Sequence, residues 1–488
     1  MISNYKEKHQ KYKKKYVKLK RELEKVYDLI IIGGGSAGVA AALESVKYGI
    51  KVAIFDYVEP SEHGSIWGIG GTCLNVGCIP KKFFYHAAQI GHTLDHMENY
   101  GWEKSKKEHN WNILINNIRK YIVSQNKDLE ISLKKSKIDY FNMLVSFVDQ
   151  YNIKGVDNQG KESYFTAKKF IIATGLRPKY PNIEGIHYGI TSDDFFFLQN
   201  PPGETLIIGG SYISLEIGSF LKNLCYPVTI MVRSQFLRGF DRETVKIFIE
   251  NIDLDYIQGV PIKIELVKNI KRVHYDGGSI DVNTVIIATG RESKIYQLGL
   301  DKIGVSIEDG KIVAPHFKTT LDHIYAIGDI VKDGIELTPV AIKSAKLLIQ
   351  NLYESKDYIL DNAWIPTSVF TVPFEYSSVG LSEEEGIKKY GQEIEVYDSN
   401  FKPLEYNLTD DYNHKLGYVK LICLKNGNII GLHIVAPNAG EIIQGYVVAI
   451  KTGMTKTDFD NTIGIHPTIS ENILNLEIKQ NKKSPKKC

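Results

Sequence analysis

Cysteine is scarce in this chain, which has only five cysteines among 488 residues, and long hydrophobic runs are missing altogether. So few cysteines exclude the disulfide framework of a small secreted domain, and any disulfide is expected to be catalytic in a reducing compartment. No run of eighteen apolar residues and no hydrophobic signal-peptide core occurs, which predicts a soluble protein with no membrane partner. We expect it in the cytoplasm, with the mitochondrion as the alternative.

Charge is nearly balanced, at a net +3, and its positive excess lies at one end. The first 25 residues hold ten Lys and Arg against three Glu, whereas the remainder carries a net charge of −4. Residues 1–26 therefore form a basic extension, interpreted as a solvated segment, with a targeting or docking segment as the alternative. No nucleic-acid module accompanies the basic run, so no nucleic-acid partner is expected.

A dinucleotide fingerprint begins at Tyr27, in YDLIIIGGGSAGVAAALESVKYGIKVAIFD. The pattern predicts a buried strand, a glycine turn, a helix and a second strand. Gly33, Gly35 and Gly38 open the helix, where backbone N–H groups and the helix dipole face a pyrophosphate. Asp56 ends the second strand and suits a ribose hydroxyl.

A second, less regular fingerprint starts near Thr205, in TLIIGGSYISLEIGSFLKNLCYPVTIMVRS. Serines follow its glycines where further glycines would be expected, so taken alone it also fits a plain strand-to-helix turn. Its second strand ends at Arg233, followed by Ser234 and Arg238, with no acid for a ribose 2′-hydroxyl. Guanidinium groups suit a 2′-phosphate, which favours NADPH over NADH; surface arginines without a ligand are the alternative.

Cys73 and Cys78 lie in GGTCLNVGCIPKK, about forty residues after the first fingerprint. Pro80 predicts a helix start that stabilises a thiolate at Cys78. Two reduced core cysteines are an equally good interpretation of the pair alone. Two dinucleotide sites of different ribose chemistry favour a redox disulfide, because a flavin can pass electrons from a nicotinamide to sulfur.

His466 and Glu471, in HPTISE, form a third candidate group. An imidazole followed five residues later by a carboxylate can be an oriented base, because the acid fixes the tautomer. A structural histidine beside a proline is the alternative. No metal site is predicted from the sequence.

Together these motifs resemble the pyridine nucleotide-disulfide oxidoreductases, and most closely the large thioredoxin reductases. The resemblance extends from Tyr27 to about Leu476, in WGIGGTCLNVGCIPKK, FIIATGLRP, VRSQFLRGFD, VIIATGRES, IYAIGDI, ELTPVAIKSAK, SVFTVPFEYSSVGLSEEE, PNAGEIIQGY and IGIHPTISE. It implies an α/β fold of the glutathione reductase-like FAD/NADPH type, with two Rossmann-like dinucleotide-binding domains and an α+β dimerisation domain.

The resemblance also implies domain boundaries. After the extension they are 27–170 for the first part of the FAD domain, 171–295 for the NADPH domain, 296–365 for the second part of the FAD domain, 366–477 for the interface domain and 478–488 for a C-terminal redox tail. The NADPH domain is short, and we expect a trimmed hairpin at Asp276-Gly277-Gly278.

FAD and NADPH are the implied cofactors, and a set of matching positions would bind them. These are Gly33, Gly35, Ser36, Gly38, Asp56, Gly71, Thr72, Lys81, Thr174, Gly175, Tyr212, Glu216, Arg233, Ser234, Arg238, Gly290, Arg291, Gly328 and Asp329. Asp329 would hold the flavin ribityl chain, Lys81 and Glu216 would pair near the flavin N5, and Tyr212 would be the gate that moves for NADPH.

The catalytic residues implied by the resemblance are Cys73, Cys78, His466, Glu471 and Cys488. Cys78 would contact the flavin and Cys73 would exchange with the next acceptor. His466 and Glu471 would serve the disulfide of the other subunit, which implies a homodimer with shared sites.

The acceptor is predicted from single residues. Glutathione reductases carry two arginines where this chain has Leu43 and Glu44, and a third where it has Lys346. The Lys-rich tail IKQNKKSPKKC ends on Cys488, half of the Cys-Cys or Cys-selenocysteine pair of large thioredoxin reductases. We expect the natural chain to continue with selenocysteine; an incidental terminal cysteine is the alternative.

The sequence therefore predicts an NADPH-dependent flavoprotein disulfide reductase whose partner is thioredoxin or a thioredoxin-like protein. Reduction of glutathione or another small disulfide is the nearest alternative, and dihydrolipoamide dehydrogenase is a weaker one because the arginines favour NADPH. A redox-inactive flavoprotein scaffold is the alternative from another class.

Overall fold

The computed structural model describes residues 25–103, 106–409, 415–474 and 476–479. The predictions for residues 1–24 of the basic extension, and for residues 480–488 of the tail with Cys488, lie outside this range. Described residues within 1–79, 119–178 and 291–360 form one compact unit, and those within 80–118, 179–290 and 361–488 form a second. The division into FAD, NADPH and interface domains stays a prediction.

The helices of the described residues are numbered in chain order. Helices α1 to α12 are Ser36–Ser45, Gly71–Val76, Cys78–His96, Trp111–Lys135, Ser192–Phe195, Tyr212–Asn223, Arg242–Ile252, Leu300–Ile303, Thr338–Glu354, Glu383–Tyr390, Ala439–Lys451 and Lys456–Asp460.

The strands are numbered in the same way. Strands β1 to β24 are Val26–Ile32, Val52–Asp56, Asp139–Asn142, Leu144–Phe147, Asn152–Val156, Glu162–Ile172, Arg177–Pro178, Thr205–Ile208, Val228–Val232, Tyr256–Gln258, Pro261–Val267, Ile270–Tyr275, Gly278–Val282, Thr284–Ile287, Arg291–Glu292, Ile307–Glu308, Lys311–Ile312, Ile324–Ala326, Thr367–Val369, Glu375–Gly380, Ile394–Phe401, Gly417–Leu424, Ile429–Ala436 and Glu477–Ile478.

The first unit is built on a seven-stranded sheet in the order β3-β2-β1-β6-β5-β4, with β18 also paired to β6. The strands β3, β2, β1, β6 and β18 pair in parallel, and β4 and β5 pair antiparallel. Leu29 and Ile31 pack into one core cluster, whereas Ile30 and Ile32 pack into another. Because both faces of β1 are buried, its sequence is continuously apolar and not alternating.

The second unit contains a parallel sheet in the order β10-β9-β8-β14 and an antiparallel sheet of β11, β12 and β13. Tyr275 of β12 pairs with Gly278 of β13, so Asp276 and Gly277 form a two-residue turn. A hairpin with a tight turn therefore lies at the expected position, and its shortening relative to the family stays a prediction.

The second unit also contains a six-stranded sheet in the order β19-β20-β23-β22-β21-β24. Strand β22 pairs antiparallel with both β21 and β23. Helix α11 contributes Ile443, Val447 and Ile450 to the core of this sheet. The described residues thus show the predicted fold class. Each glycine turn connects a parallel strand to a helix, and the six-stranded sheet with α11 forms an α+β part.

Among the described helices, none is long and apolar enough to span a bilayer.

Candidate active site

The first glycine turn connects β1 to α1 and brings backbone segments close together. Gly33 has φ +111°, and a Cβ there would overlap the carbonyl oxygen of Ala173. A Cβ at Gly38 would overlap the carbonyl oxygen of Gly33. Only glycine fits at both positions, so the chain turns tightly into the N-terminus of α1, where backbone N–H groups can face a pyrophosphate.

Asp56 ends β2 beside this turn. Its Oδ1 atom accepts the backbone N–H of Gly34 at 2.9 Å. Burial raises the pKa of Asp56 to about 6, and hydrogen bonds from the Gly34 and Tyr57 backbone oppose that rise. The carboxyl group therefore lies where the fingerprint predicts a ribose contact, and this arrangement fits the adenosine half of FAD.

A second backbone contact connects the segment of Cys73 and Cys78 to the glycine turn. The Gly70 N–H donates to the Gly34 carbonyl at 2.9 Å, and α2 begins at Gly71. This places Thr72 and Cys73 in the first turn of α2. The predicted position of Cys78 is confirmed, because it is the first residue of α3.

Cys73 and Cys78 are both thiols in this structure. A hydrogen bond with Cys78, together with burial, raises the pKa of the Cys73 thiol well above its ordinary value, while hydrogen bonds with Thr338 and Ser36 oppose the rise. Thr338 Oγ1 also lies 3.7 Å from the Cys78 sulfur. One hydroxyl, at the start of α9, therefore contacts both cysteines.

A groove of about 500 Å³ opens beside Cys73. Most of its lining is aliphatic or glycine and includes Val39, Ala40, Leu43, Gly70, Leu74 and Ile342. The charged residues of the lining are Glu44, Lys47 and Lys346. The Lys47 ammonium lies 2.7 Å and 2.8 Å from the two oxygens of Glu44, so these two charges compensate each other.

Asp329 lies in the turn that follows β18. Burial raises the pKa of Asp329, Arg291 opposes that rise, and Cys78 adds to it. An Nη2 N–H of Arg291 donates to Thr72 Oγ1 at 3.3 Å. Other predicted residues, at strand ends of the same sheet, are Thr174, Gly175 and Gly328.

In the second unit, Gly209 follows β8 with φ +144° and lies against the Ala288 carbonyl that follows β14. Tyr212 is the first residue of α6, and its side chain is exposed. Gly290 lies just beyond β14. The second fingerprint therefore forms a glycine turn between a strand and a helix, as the first one does, although serines follow its glycines.

Arg233, Ser234 and Arg238 lie in an exposed loop after β9. The Arg238 guanidinium donates to Ser234 Oγ at 2.7 Å. Residues 233–240 contain no Asp or Glu. Two guanidinium groups and a hydroxyl in such a loop fit a nucleotide 2′-phosphate.

Lys81 and Glu216 form an ion pair in the second unit. The Lys81 ammonium lies 2.7 Å and 2.8 Å from the two Glu216 oxygens, and the Phe370 N–H donates to Glu216 Oε1 at 3.0 Å. The ammonium also lies 5.5 Å from the centre of the Tyr212 ring. Glu216 is only 2% exposed, and these contacts fix the position of its carboxylate.

The His466 imidazole and the Glu471 carboxylate form a hydrogen-bonded pair. Nδ1 lies 3.1 Å from both carboxylate oxygens, and the Thr468 N–H also donates to Oε1. The His466 side chain is 82% exposed, and Nδ1 is the ring nitrogen that contacts the carboxylate. A carboxylate on Nδ1 fixes the tautomer in which Nε2 can accept a proton.

Each unit assembles its own part of the predicted set. The first unit brings Cys73, Cys78, Arg291 and Asp329 together around the glycine turn, and the second holds the Lys81–Glu216 and His466–Glu471 pairs. The cofactor and catalytic roles of these residues stay predictions. Sequence reasoning missed Thr338 and Phe370, although both lie in motifs that match the family, ELTPVAIKSAK and SVFTVPFEYSSVGLSEEE.

Comparison with known proteins agrees with this geometry. Residues 27–345 match the pyridine nucleotide-disulphide oxidoreductase family, and residues 365–476 match the dimerisation domain of that family. The chain is similar to thioredoxin reductase SEP1 of Emiliania huxleyi, with 44% identity over 472 residues, which is 92% of this chain and 95% of the relative. The cofactors of such enzymes, FAD and NADPH, are those that the two glycine turns fit. The chain belongs to the pyridine nucleotide-disulphide oxidoreductase family.

Proposed function

We propose that this protein reduces the disulfide of thioredoxin with electrons from NADPH. The observation that carries the proposal is the Cys73–Cys78 dithiol beside an open groove, in a chain that is 44% identical to a thioredoxin reductase over most of its length. When bound, FAD and NADPH supply the electron pair that returns the cysteines to the dithiol state.

The reaction that the protein's own residues carry out is thiol–disulfide exchange, which starts at Cys73. The Cys73 thiolate attacks one sulfur of the acceptor disulfide, which breaks that bond and releases the other sulfur as a thiolate. Cys78 then attacks the Cys73 sulfur, so the acceptor leaves as a dithiol and the two cysteines become a disulfide. Each cycle transfers two electrons from Cys73 and Cys78 to the acceptor.

Cys73 needs a base, because its hydrogen bond with Cys78 and its burial raise the pKa of its thiol. His466, with Nδ1 bound by Glu471, is suited to take that proton and to return it to the departing sulfur. We propose that His466 acts on Cys73 of the partner subunit. The match of residues 365–476 to the dimerisation domain supports this, as does the exposure of Ile463 and Ile465 near His466, at 95% and 78%.

The groove beside Cys73 favours a substrate other than glutathione. Glutathione is anionic through its carboxylates, whereas the lining of the groove is mainly aliphatic. The Lys47 ammonium pairs with Glu44, so among the described residues of the lining Lys346 is the remaining cation. Two arginines at positions 43 and 44 would offer bidentate carboxylate sites that this groove lacks.

The decisive assay compares NADPH oxidation with thioredoxin and with glutathione disulfide as acceptors. The proposal expects turnover with thioredoxin and little with glutathione disulfide; the reverse preference would establish the small-disulfide alternative. Cys73→Ser should retain bound flavin but lose thioredoxin reduction, and full turnover by that variant would refute the assigned chemistry. Assaying the chain as it stands, as Cys488→Ser, and extended by Cys-Gly or selenocysteine-Gly tests the predicted tail.

Mixed dimers test the shared site. Cys73→Ser and His466→Gln homodimers should each be inactive, whereas a dimer with one subunit of each kind keeps one complete site. Statistical mixing should therefore restore about a quarter of wild-type turnover, since a two-fold interface pairs each half-site with the other chain. No recovery in verified mixed dimers would place Cys73 and His466 of one subunit in the same site.

A further inference from the structure

The loop expected to bind the NADPH 2′-phosphate is held by an arginine that lies outside it. We name residues 233–240 the 2′-phosphate loop. Arg242, two residues beyond its end, donates hydrogen bonds from Nε at 2.8 Å, from Nη1 at 3.0 Å and from Nη2 to three backbone carbonyls of the loop, those of Phe240, Phe236 and Leu237 respectively. A single planar fork thus fixes the direction of the chain across five consecutive residues.

The same loop is tied to the second glycine turn. The Leu237 N–H donates to the Gly210 carbonyl at 2.8 Å, and a Cβ at Gly210 would lie 3.0 Å from the Gln235 carbonyl. Leu237 has φ +45°, a conformation that residues other than glycine rarely adopt. Such a backbone persists only where surrounding contacts hold it, and the guanidinium of Arg242 supplies one of those contacts.

Arg242 is itself anchored from the side away from the loop. It is the first residue of α7, and its backbone N–H donates to Glu384 Oε1 at 3.2 Å. The preceding Asp241 caps the helix by accepting the Thr244 N–H at 2.9 Å, and it is bound by the buried ammonium of Lys420 at 2.9 Å. The guanidinium therefore projects from a rigid base.

We propose that Arg242 is a positioning residue for cofactor selection, which holds Ser234 and Arg238 in the arrangement that binds the 2′-phosphate of NADPH. Both side chains are exposed and contact each other, so their placement depends on the backbone beneath them. A loop already ordered before binding loses less conformational freedom when the phosphate arrives, which strengthens binding without a direct contact. The inference rests on the proposed use of NADPH.

The experiment measures binding of 2′,5′-ADP and of 5′-AMP to the FAD-loaded enzyme by titration calorimetry. Arg242→Gln should weaken 2′,5′-ADP about tenfold, equivalent to about 1.4 kcal/mol, and leave 5′-AMP within about twofold. Arg242→Lys keeps the charge but loses the fork, so it should weaken 2′,5′-ADP nearly as much. Lys246→Gln is the matched control, because it removes an exposed charge from the next turn of α7 and should change neither ligand.

Steady-state kinetics provide a second measurement. Arg242→Gln should raise the KM for NADPH with kcat close to wild type, and it should leave the kinetics with NADH unchanged. Equal losses for 2′,5′-ADP and 5′-AMP, or unchanged binding of both, would overturn the positioning role. If Arg242→Gln does not retain FAD, the binding of 2′,5′-ADP and 5′-AMP to Arg242→Lys tests the positioning role by the same criteria. A wild-type enzyme that does not prefer 2′,5′-ADP over 5′-AMP would instead contradict the proposed use of NADPH.

Discussion

Replacement of Lys420 by methionine is expected to destabilise the second unit strongly. Lys420 lies in β22 with its side chain 1% exposed, and its ammonium lies 2.9 Å from Asp241 and 2.8 Å from both Glu243 and Glu383. Methionine keeps most of the aliphatic stem but removes the charge. The prediction depends on which of the three carboxylates then lacks a cation.

The magnitude follows from what remains around each carboxylate. Glu243 and Glu383 keep the Lys479 ammonium, at 2.7 Å and 2.8 Å. Asp241 is fully buried and would keep the electrostatic interaction with His433 and three hydrogen bonds, from the Thr244 N–H and hydroxyl and from the Glu383 N–H. Breaking a buried ion pair costs about 3–5 kcal/mol, and because three hydrogen bonds persist we expect the lower end, about 3 kcal/mol.

Urea unfolding of the flavin-loaded protein measures this effect. A loss of about 3 kcal/mol lowers the midpoint by about 1 M for a slope of about 3 kcal/mol/M. Lys425→Met is the control from just beyond the same strand, because Lys425 and its partner Glu393 are 53% and 70% exposed. Exposed pairs are worth up to about 1 kcal/mol. If both variants shift the midpoint equally, burial of the Lys420 cluster does not set its energy and the reasoning fails.

The stability lost in Lys420→Met should depend on pH. Although burial acts to raise it, the charges of His433 and Lys420 and the hydrogen bonds hold the pKa of Asp241 well below its ordinary value. A lowered carboxyl pKa contributes stability above the unfolded value, about 4, and loses it as pH falls through the folded value. Lys420→Met raises the pKa of Asp241, so the gap between variant and wild type should be widest near neutral pH and narrow below about pH 4.

Three further changes have defined outcomes. Thr338→Val removes a hydrogen bond that lowers the pKa of the Cys73 thiol, so alkylation of Cys73 should shift to higher pH, and an unchanged alkylation profile would count against the contact. Glu216→Gln leaves the Lys81 ammonium without its carboxylate and should cost about 2–3 kcal/mol, below the fully buried case because Lys81 is 17% exposed; a melting temperature equal to wild type would show that the pair adds no stability. Gly33→Ala, which places a Cβ inside a carbonyl oxygen, should abolish FAD binding, and normal flavin absorbance would contradict that.

The sequence was sufficient to predict local geometry where the interacting residues lie close together in the chain. The first glycine turn could be predicted because strand, glycines, helix and Asp56 follow one another within thirty residues. His466 and Glu471 are five residues apart and form the predicted pair. Lys81 and Glu216 are 135 residues apart, so only the resemblance to a family identified them as partners.

Other contacts have no local signal because their partners are distant or belong to the backbone. Thr338 lies 260 residues from Cys78, and no spacing rule connects a helix-starting threonine to a cysteine so far away. Arg242 donates to main-chain carbonyls, which every residue has, so its partners cannot be identified from residue types. Such a contact can be predicted only once the path of the loop is known.

Lys420 shows how a buried charge can nevertheless be anticipated. In the run YVKLICL, strict alternation would place Lys420 on a solvent-facing side of the strand, opposite Val419 and Leu421. The structure buries both faces of β22, because α7 and α10 bring Asp241, Glu243 and Glu383 to the lysine. A lone lysine in an apolar strand therefore predicts a cluster of carboxylates on the covering elements, since an unpaired ammonium would not remain there charged. Because α7 also starts at Arg242, the same cluster that stabilises the second unit sets the position from which the 2′-phosphate loop is held.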